Sequence, residues 1–245
     1  MNIEGSSQHA ARFERLDALR GIAMVWMAAF HFSYDLNHFG YIKQDFYTDP
    51  RWTLQRTGIL SLFLFCAGIS LALGLAQRQG WWRFGRRWLQ VLACALLVST
   101  GSYLMFPNSF IYFGVLHGMA AMLLLVRLMA PLRAALWPVG LLLILLPHFV
   151  QHPWFDTVWT NWLGLVTHLP VTQDYVPLLP WMGVMCWGLA SGQLVMRVMP
   201  TLLTTPVPSL MQPLVVLGRW SLSFYMVHKP FFIGLLTGAA AVTTR

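Results

Sequence analysis

Charged residues are scarce in this chain of 245 residues. They make up 10% of it, whereas a soluble domain carries about 25% charged residues. Together with a hydrophobic share of 57%, this scarcity excludes a water-soluble globule, a disordered chain and a coiled coil. A disulfide-stapled scaffold is excluded as well, because Cys66, Cys94 and Cys186 all lie inside apolar runs. The composition is typical of a membrane protein with several helices.

The sequence also lacks the motifs of several large enzyme classes. It contains no GxSxG, Walker A or GxGxxG motif, which argues against a serine hydrolase, a P-loop ATPase and a Rossmann enzyme. It contains no HExxH, paired-carboxylate or CxxCH motif either, so we expect no metal site. A haem-binding electron carrier stays a minor alternative, since three histidines fall at similar depth in the predicted membrane helices.

Long apolar runs occupy most of the chain. Each is long enough to cross a hydrocarbon core about 30 Å thick, which takes ~20 residues of helix. We therefore predict an all-α, polytopic integral membrane bundle that forms a single domain over 1–245, with an eighth crossing inside 154–170 left open. The seven predicted spans are 18–38, 57–77, 86–106, 110–130, 133–151, 176–198 and 214–238.

The positions of Lys and Arg predict the orientation. With the N-terminus inside, eleven of the 16 lie at inner ends of the spans, and five, Lys229 among them, lie at outer ends. This bias favours a cytoplasmic N-terminus and places the segment 152–175 outside. It also explains the net charge of +8 through contact with membrane lipid, so we expect no nucleic-acid binding.

The first predicted span carries five ionisable side chains in an otherwise apolar helix: Asp17, Arg20, His31, Asp35 and His38. At about 100° per residue, all five fall on one stripe of the helix. An ionisable side chain at mid-bilayer costs ~2.5–3.5 kcal/mol on insertion scales, so the stripe is expected to face the bundle or a wet cavity. Such a cluster predicts a functional site.

The depth of each side chain in this span suggests its role. Arg20 lies at the inner mouth, where its permanent charge can bind a phosphate, and His31 lies ~16 Å further, where it can exchange a proton as a general base. Asp35 or His38 can then orient the imidazole or relay its proton. The alternative is structural: Arg20 pairs with Asp17 at the inner interface, and His31 forms a hydrogen bond inside a packed core.

Two further histidines lie within predicted spans. His117 follows IYFGVL in the fourth span and His228 follows SLSFYMV in the seventh, at depths that let both approach His31. A lone membrane histidine is often only a hydrogen bond between helices, and we keep that alternative beside a substrate-binding role.

Both predicted loop surfaces combine aromatic and charged side chains. On the inner side, RQGWWRFGRR presents Arg83, Arg86 and Arg87 beside two indoles, as a lipid-headgroup anchor or as a binding surface for a phosphorylated cosubstrate. On the outer side, a Trp-rich segment leads to Asp174 and Trp181, as an interfacial aromatic belt or as a platform for a sugar-like acceptor.

Five segments, in order along the chain, resemble a known family. LDALRGIAMVWMAAFHF is similar to the opening helix of the transmembrane acyltransferase superfamily, and Arg20 and His31 match the Arg-x10-His signature of its acyltransferase-3 branch. The remainder is more similar to bacterial relatives of heparan-alpha-glucosaminide N-acetyltransferase, through FLFCAGISLAL, IYFGVLHG, DYVPLLPWMGV and GRWSLSFYMVHKPFF.

The resemblance implies an acyltransferase in the bacterial inner membrane. It implies acetyl-CoA as the cosubstrate, bound from the cytoplasm, and an amine or hydroxyl acceptor, often a sugar, bound from the far side. The family's essential arginine and histidine correspond to Arg20 and His31, and His38 is the nearest match to a histidine that the sugar-amine branch uses. The resemblance also implies a homodimer.

Two questions of chemistry stay open. Acyl transfer needs a base for the acceptor proton and a donor for the oxyanion, and direct transfer and an acyl-histidine intermediate both draw on His31. The same ionisable stripe also fits a proton-coupled transporter or channel, in which it would relay protons between the two faces.

Overall fold

A computed structural model describes residues 13–243, and every regular element in this range is helical, which confirms the predicted all-α class. Short 3-10 turns join some of the α-helices. The α-helices are α1 (Glu14–His38), α2 (Pro50–Ala76), α3 (Trp81–Met105), α4 (Val115–Met129), α5 (Leu136–Phe149), α6 (Trp181–Val198), α7 (Pro200–Thr204), α8 (Gln212–Arg219) and α9 (Ser221–Thr243).

Each predicted span contains a helix, but several helix boundaries differ from the predicted ones. The run 214–238 is not one helix, because α8 ends and α9 begins on either side of Trp220. The second and third helices begin seven and five residues earlier than predicted, and the fourth and sixth begin five residues later. Before α6, Pro177 and Pro180 lack a backbone N–H and disfavour helix in the residue that precedes each of them, so the chain enters extended.

Within the described residues, three segments are long and apolar enough to cross a membrane: Pro50–Ala76, Trp81–Met105 and Val115–Phe149. The third of these includes both α4 and α5, which a turn at Arg133 separates, with φ of 48° and ψ of −114°. The chain is an integral membrane protein. Seven crossings and a cytoplasmic N-terminus stay predictions.

The centre of the bundle is the contact between α2 and α6. Gly68 of α2 and Gly188 of α6 let the two backbones approach closely, as small residues do where membrane helices cross. The side chains around this crossing, among them Leu64, Met185 and Leu189, are completely buried. The contact fixes α2, against which α1 then packs.

Helix α1 is held on its other side by α8 and α9. Gly21 of α1 lies against the backbone of Leu214, and Gly218 of α8 lies against the backbone of Asp17. Helix α9 runs in the same direction as α1, because Arg219, just before α9, lies near Glu14 and Asp17, whereas Phe232 contacts Phe32 further along α1. His31 and Asp35 of the ionisable stripe therefore face α9.

The segment between α5 and α6 is irregular but well ordered by hydrogen bonds. The Thr172 hydroxyl donates to the Phe110 carbonyl at 2.7 Å, and the Val176 N–H donates to the Phe113 carbonyl at 3.2 Å. This part of the chain runs alongside the loop that precedes α4. It brings Asp174 to the first turn of α4.

Candidate functional site

Two histidines from different helices meet inside the bundle. His31 of α1 and His228 of α9 have ring centroids 5.2 Å apart, with the ring planes tilted by 46°. His228 is buried, whereas part of the His31 ring stays accessible although protein surrounds it closely. His31 is therefore the accessible ring of the pair, and His228 is the buried one.

The hydrogen bonds of His228 fix its tautomer. Its Nδ1 lies 2.7 Å from the backbone carbonyl of Tyr225, and a carbonyl only accepts, so Nδ1 carries the hydrogen. In the neutral ring, Nε2 then holds a lone pair. Among the described residues this buried nitrogen has no hydrogen-bond partner. The ring is further held by Phe224, stacked on it at 5.9 Å. The geometry leaves His228 a proton acceptor beside His31.

Asp35 does not orient an imidazole as predicted from the sequence. Its Oδ1 accepts a hydrogen bond from Lys229 Nζ at 2.5 Å instead. The physical reason is that the ammonium of α9 reaches the carboxylate, and an opposite charge is a stronger partner than a neutral ring. His38 lies at the exposed end of α1, with its ring against Phe39 at 5.8 Å. Its role in relaying a proton stays a prediction.

Asp174 connects the irregular segment to α4. Its Oδ2 accepts a hydrogen bond from the Val115 N–H at 2.8 Å, so it lies at the positive end of α4. Burial raises the pKa of the Asp174 carboxyl, while the bond from Val115 and the charge of Arg56 act in the opposite direction. Asp174 is also within electrostatic range of Tyr225, one turn before His228 on α9.

His117 has neighbours other than the predicted ones. Its Nδ1 accepts from the Gly114 N–H at 3.4 Å, and its Nε2 lies 3.1 Å from the Ser99 hydroxyl. Because Ser99 donates to the Ile111 carbonyl, His117 donates to Ser99, and both ring nitrogens are used. These contacts match the alternative of a hydrogen bond between helices. Trp181, the first residue of α6, packs against the core.

Arginines gather where α1 and α3 begin, and we call this the arginine end of the bundle (Arg20, Arg83, Arg86 and Arg87). Arg20 donates to Asp17 at 2.8 Å and to the Ser70 hydroxyl of α2, so the predicted alternative of an Asp17–Arg20 pair is present. Arg87 is close enough for its charge to act on Arg20. Arg83, Arg86 and Arg87 are exposed and free to meet an anion.

Three charged residues near these sites escaped the sequence analysis. Arg127 is buried, its guanidinium lies 4.5 Å from the centres of the Trp81 and Phe84 rings, and it donates a hydrogen bond to the Gln79 carbonyl. It anchors the turn between α2 and α3. Arg56 of α2 acts through its charge on Asp174, and Lys229 was counted only as an outer-end charge. The sequence did hold a signal for Lys229, which lies within a predicted span, where a charge needs a partner.

Metal ligation has no support from the described residues, since no three His, Cys, Asp or Glu side chains among them form a group that could hold an ion. The polar groups of the site are two imidazoles, one ion pair and one capping carboxylate. They are suited to moving protons and to stabilising charge.

Fold and site together define an integral membrane protein whose helices enclose a histidine pair and a lysine–aspartate ion pair, with exposed arginines at one end. A family model described as heparan-alpha-glucosaminide N-acetyltransferase, catalytic, matches residues 12–230, and the chain belongs to this family. The resemblance stated from the sequence is confirmed, and the protein is a membrane acyltransferase of this family. No curated protein and no solved structure gives a significant match to the chain.

Proposed function

We propose that the protein transfers an acetyl group from acetyl-CoA to an amine or hydroxyl of a sugar-like acceptor across the bacterial inner membrane. The observation that carries this proposal is the pair of His31 and His228, in which one ring is accessible and the other holds an unshared lone pair behind it. The family match supports acetyl transfer as the reaction. In the membrane, the protein is proposed to act as a homodimer, as the resemblance implies.

The histidine pair supplies the base. His31 is the ring that an acceptor can reach, so it removes the proton of the attacking amine or hydroxyl as the acyl carbon is attacked. A proton on His31 has an acceptor beside it in His228 Nε2, which disperses the charge over two rings. An acyl-histidine intermediate starts from the same unprotonated His31, so the pair serves either route.

The two ends of the bundle would bind the two substrates. At the arginine end, Arg20 with Arg83, Arg86 and Arg87 offers guanidinium groups for the phosphates of coenzyme A, which enters from the cytoplasm in the predicted orientation. At the other end, the capping carboxylate of Asp174 and the Trp-rich segment up to Trp181 offer a hydrogen-bond acceptor and aromatic faces to a sugar. His38 and His117 belong to this end by position.

Purified full-length protein in proteoliposomes tests the reaction. Given acetyl-CoA labelled in the acetyl group and a panel of amino sugars and alcohols, it is expected to release free coenzyme A thiol and to label one class of acceptor. A proton-coupled transporter has no reason to bind coenzyme A. Absence of label transfer together with absence of saturable coenzyme A binding would therefore favour the transporter, and a Soret band would favour a haem carrier.

The donor side gives a separate prediction. Arg87→Gln removes an exposed charge beside Arg20 and is expected to raise KM for acetyl-CoA about fivefold with kcat unchanged, because an exposed ion pair contributes about 1 kcal/mol. Arg197→Gln, at the exposed last turn of α6, is the matched control with the same change in net charge. Equal KM values for the two variants would contradict a donor site at Arg87.

A further inference from the structure

Lys229 lies next to the histidine pair but has no role in the reaction as proposed above. It follows His228 directly on α9 and lies well inside the helix, between residues that contact α1. An ionisable residue within a membrane helix is costly and seldom kept for packing alone. Its ammonium group offers three N–H donors and no acceptor.

The ion pair that holds Lys229 is asymmetric. The Asp35 side chain is only 6% exposed, whereas the Lys229 side chain is 33% exposed. The ammonium also lies 5.1 Å from the centre of the Tyr34 ring, which provides a second attractive contact. Asp35 and Tyr34 thus fix the position of the ammonium from the α1 side. The carboxylate is sealed in the protein, and the cation is the member of the pair that a ligand can reach.

The ammonium is close to the histidine pair. It belongs to the residue that follows His228, and its charge acts on both His31 and His228. Asp35 takes one of its three N–H donors. The remaining donors are available beside the ring that would remove the acceptor proton.

We propose that Lys229 donates a hydrogen bond to the acyl oxygen of the thioester and stabilises the oxyanion of the transfer step, with Asp35 as its positioning residue. The inference rests on the proposed acetyl transfer and adds the electrophilic group that the reaction requires. A fixed cation in a site of low dielectric stabilises developing negative charge more strongly than water does, since it needs no reorganisation.

With an amine acceptor, the transfer forms a carbon–nitrogen bond and breaks the carbon–sulfur bond of the thioester. The amine nitrogen forms a bond to the acyl carbon and passes its proton to His31, while the carbonyl π electrons move to the oxygen that faces the Lys229 ammonium. The tetrahedral intermediate then re-forms the carbonyl and breaks the carbon–sulfur bond. The coenzyme A thiolate leaves and takes the proton back from His31. Lys229 keeps all its protons throughout.

The two lysines of the chain provide the test and its control. Lys229→Met is expected to lower kcat about 10²–10³-fold, as loss of one oxyanion donor does, with KM for acetyl-CoA and for the acceptor nearly unchanged. Lys229→Arg keeps the cation and is expected to recover part of the loss. Lys43→Met, an exposed position in the loop after α1, is expected to keep the wild-type kcat.

The double variant Asp35→Asn/Lys229→Met separates catalysis from folding. Lys229→Met alone leaves a buried carboxylate without its partner, which can prevent folding, whereas the double variant leaves no unpaired charge. If Lys229 acts on the oxyanion, the double variant folds, binds coenzyme A and has the low kcat of Lys229→Met. Asp35→Asn alone is expected to lower kcat without changing either KM.

Two results would overturn the inference. Wild-type kcat in the double variant would mean that Lys229 only neutralises Asp35. Unchanged kcat in Lys229→Met would mean that the ammonium does not contact the acyl oxygen. Failure of the wild-type protein to transfer acetyl groups would refute the proposed function itself, and the role of Lys229 with it, so the two failures are distinguishable.

Discussion

Replacing His31 with glutamine is expected to lower kcat about 10²–10⁴-fold, the range that a positioned general base contributes. Glutamine keeps a similar size and a polar end at this half-buried position, so the variant is expected to fold. The loss should appear in kcat more than in KM for acetyl-CoA, because the donor is proposed to bind at the arginine end. Initial rates with labelled acetyl-CoA at several acceptor concentrations measure both constants.

The second histidine makes this prediction sharper. If His31 and His228 act as a unit, His228→Gln alone also lowers kcat. The double variant then has a kcat little below that of the less active single variant, because the effects of residues that act together are strongly non-additive. Two independent roles would instead multiply their effects. His148→Gln, on the exposed side of α5, is the control and is expected to keep wild-type kcat.

Other results would assign the base to a different residue. Near-normal kcat in His31→Gln, with the protein folded, would contradict the histidine base. If His228→Gln loses activity while His31→Gln keeps it, His228 is the base, and the accessible His31 is a substrate contact.

The sequence predicted the site well where one helix carries the information. The stripe on α1 follows from a period of 3.6 residues, and it correctly places His31 and Asp35 toward other helices. The apolar runs likewise predicted where the helices lie, because a helix that crosses the hydrocarbon core needs an apolar run of about 20 residues. Properties that depend on a single helix can therefore be predicted from the sequence of that helix.

Contacts between distant segments could not be predicted in the same way. Asp35 was expected to serve a histidine on its own helix, but its partner Lys229 lies 194 residues away. Lys229 was counted as an outer-end charge because of its position along the chain. That position does not indicate which side chain Lys229 contacts. His117 differs from Asp35 in that its partners Gly114 and Ser99 are close to it in sequence. Even so, the sequence alone could not distinguish a hydrogen bond between helices from a substrate-binding role for His117.

The break between α8 and α9 has a tertiary cause as well. The chain is apolar across 214–238, which predicts one helix. In the structure, Gly218 lies against the backbone of Asp17, and the chain changes direction at Trp220 before α9 begins. The contact of α8 with α1 therefore sets the boundary, which no local pattern indicates.

The largest effect on folding is expected from Gly188→Val. A Cβ at this position would overlap the backbone of Phe65 on α2, with the Phe65 carbonyl carbon 2.9 Å away. Backbone cannot move aside as a side chain can, so α2 and α6 must separate and the core around Leu64 and Met185 loses its packing. Overpacking of cores costs about 1–3 kcal/mol, occasionally more, against a total stability of about 5–15 kcal/mol.

Gly101→Val provides the matched control on α3, because a Cβ there meets no atom within 4 Å and valine is a better helix former than glycine. We expect Gly188→Val to lose the monodisperse peak in size-exclusion chromatography and to melt well below the wild type, while Gly101→Val matches it. Gly188→Ala is expected to fall between them, since its single Cβ already meets the Phe65 backbone. Wild-type melting of Gly188→Val would contradict the α2–α6 crossing, and with it the placement of α1 that brings His31 to His228, because α1 is packed on α2.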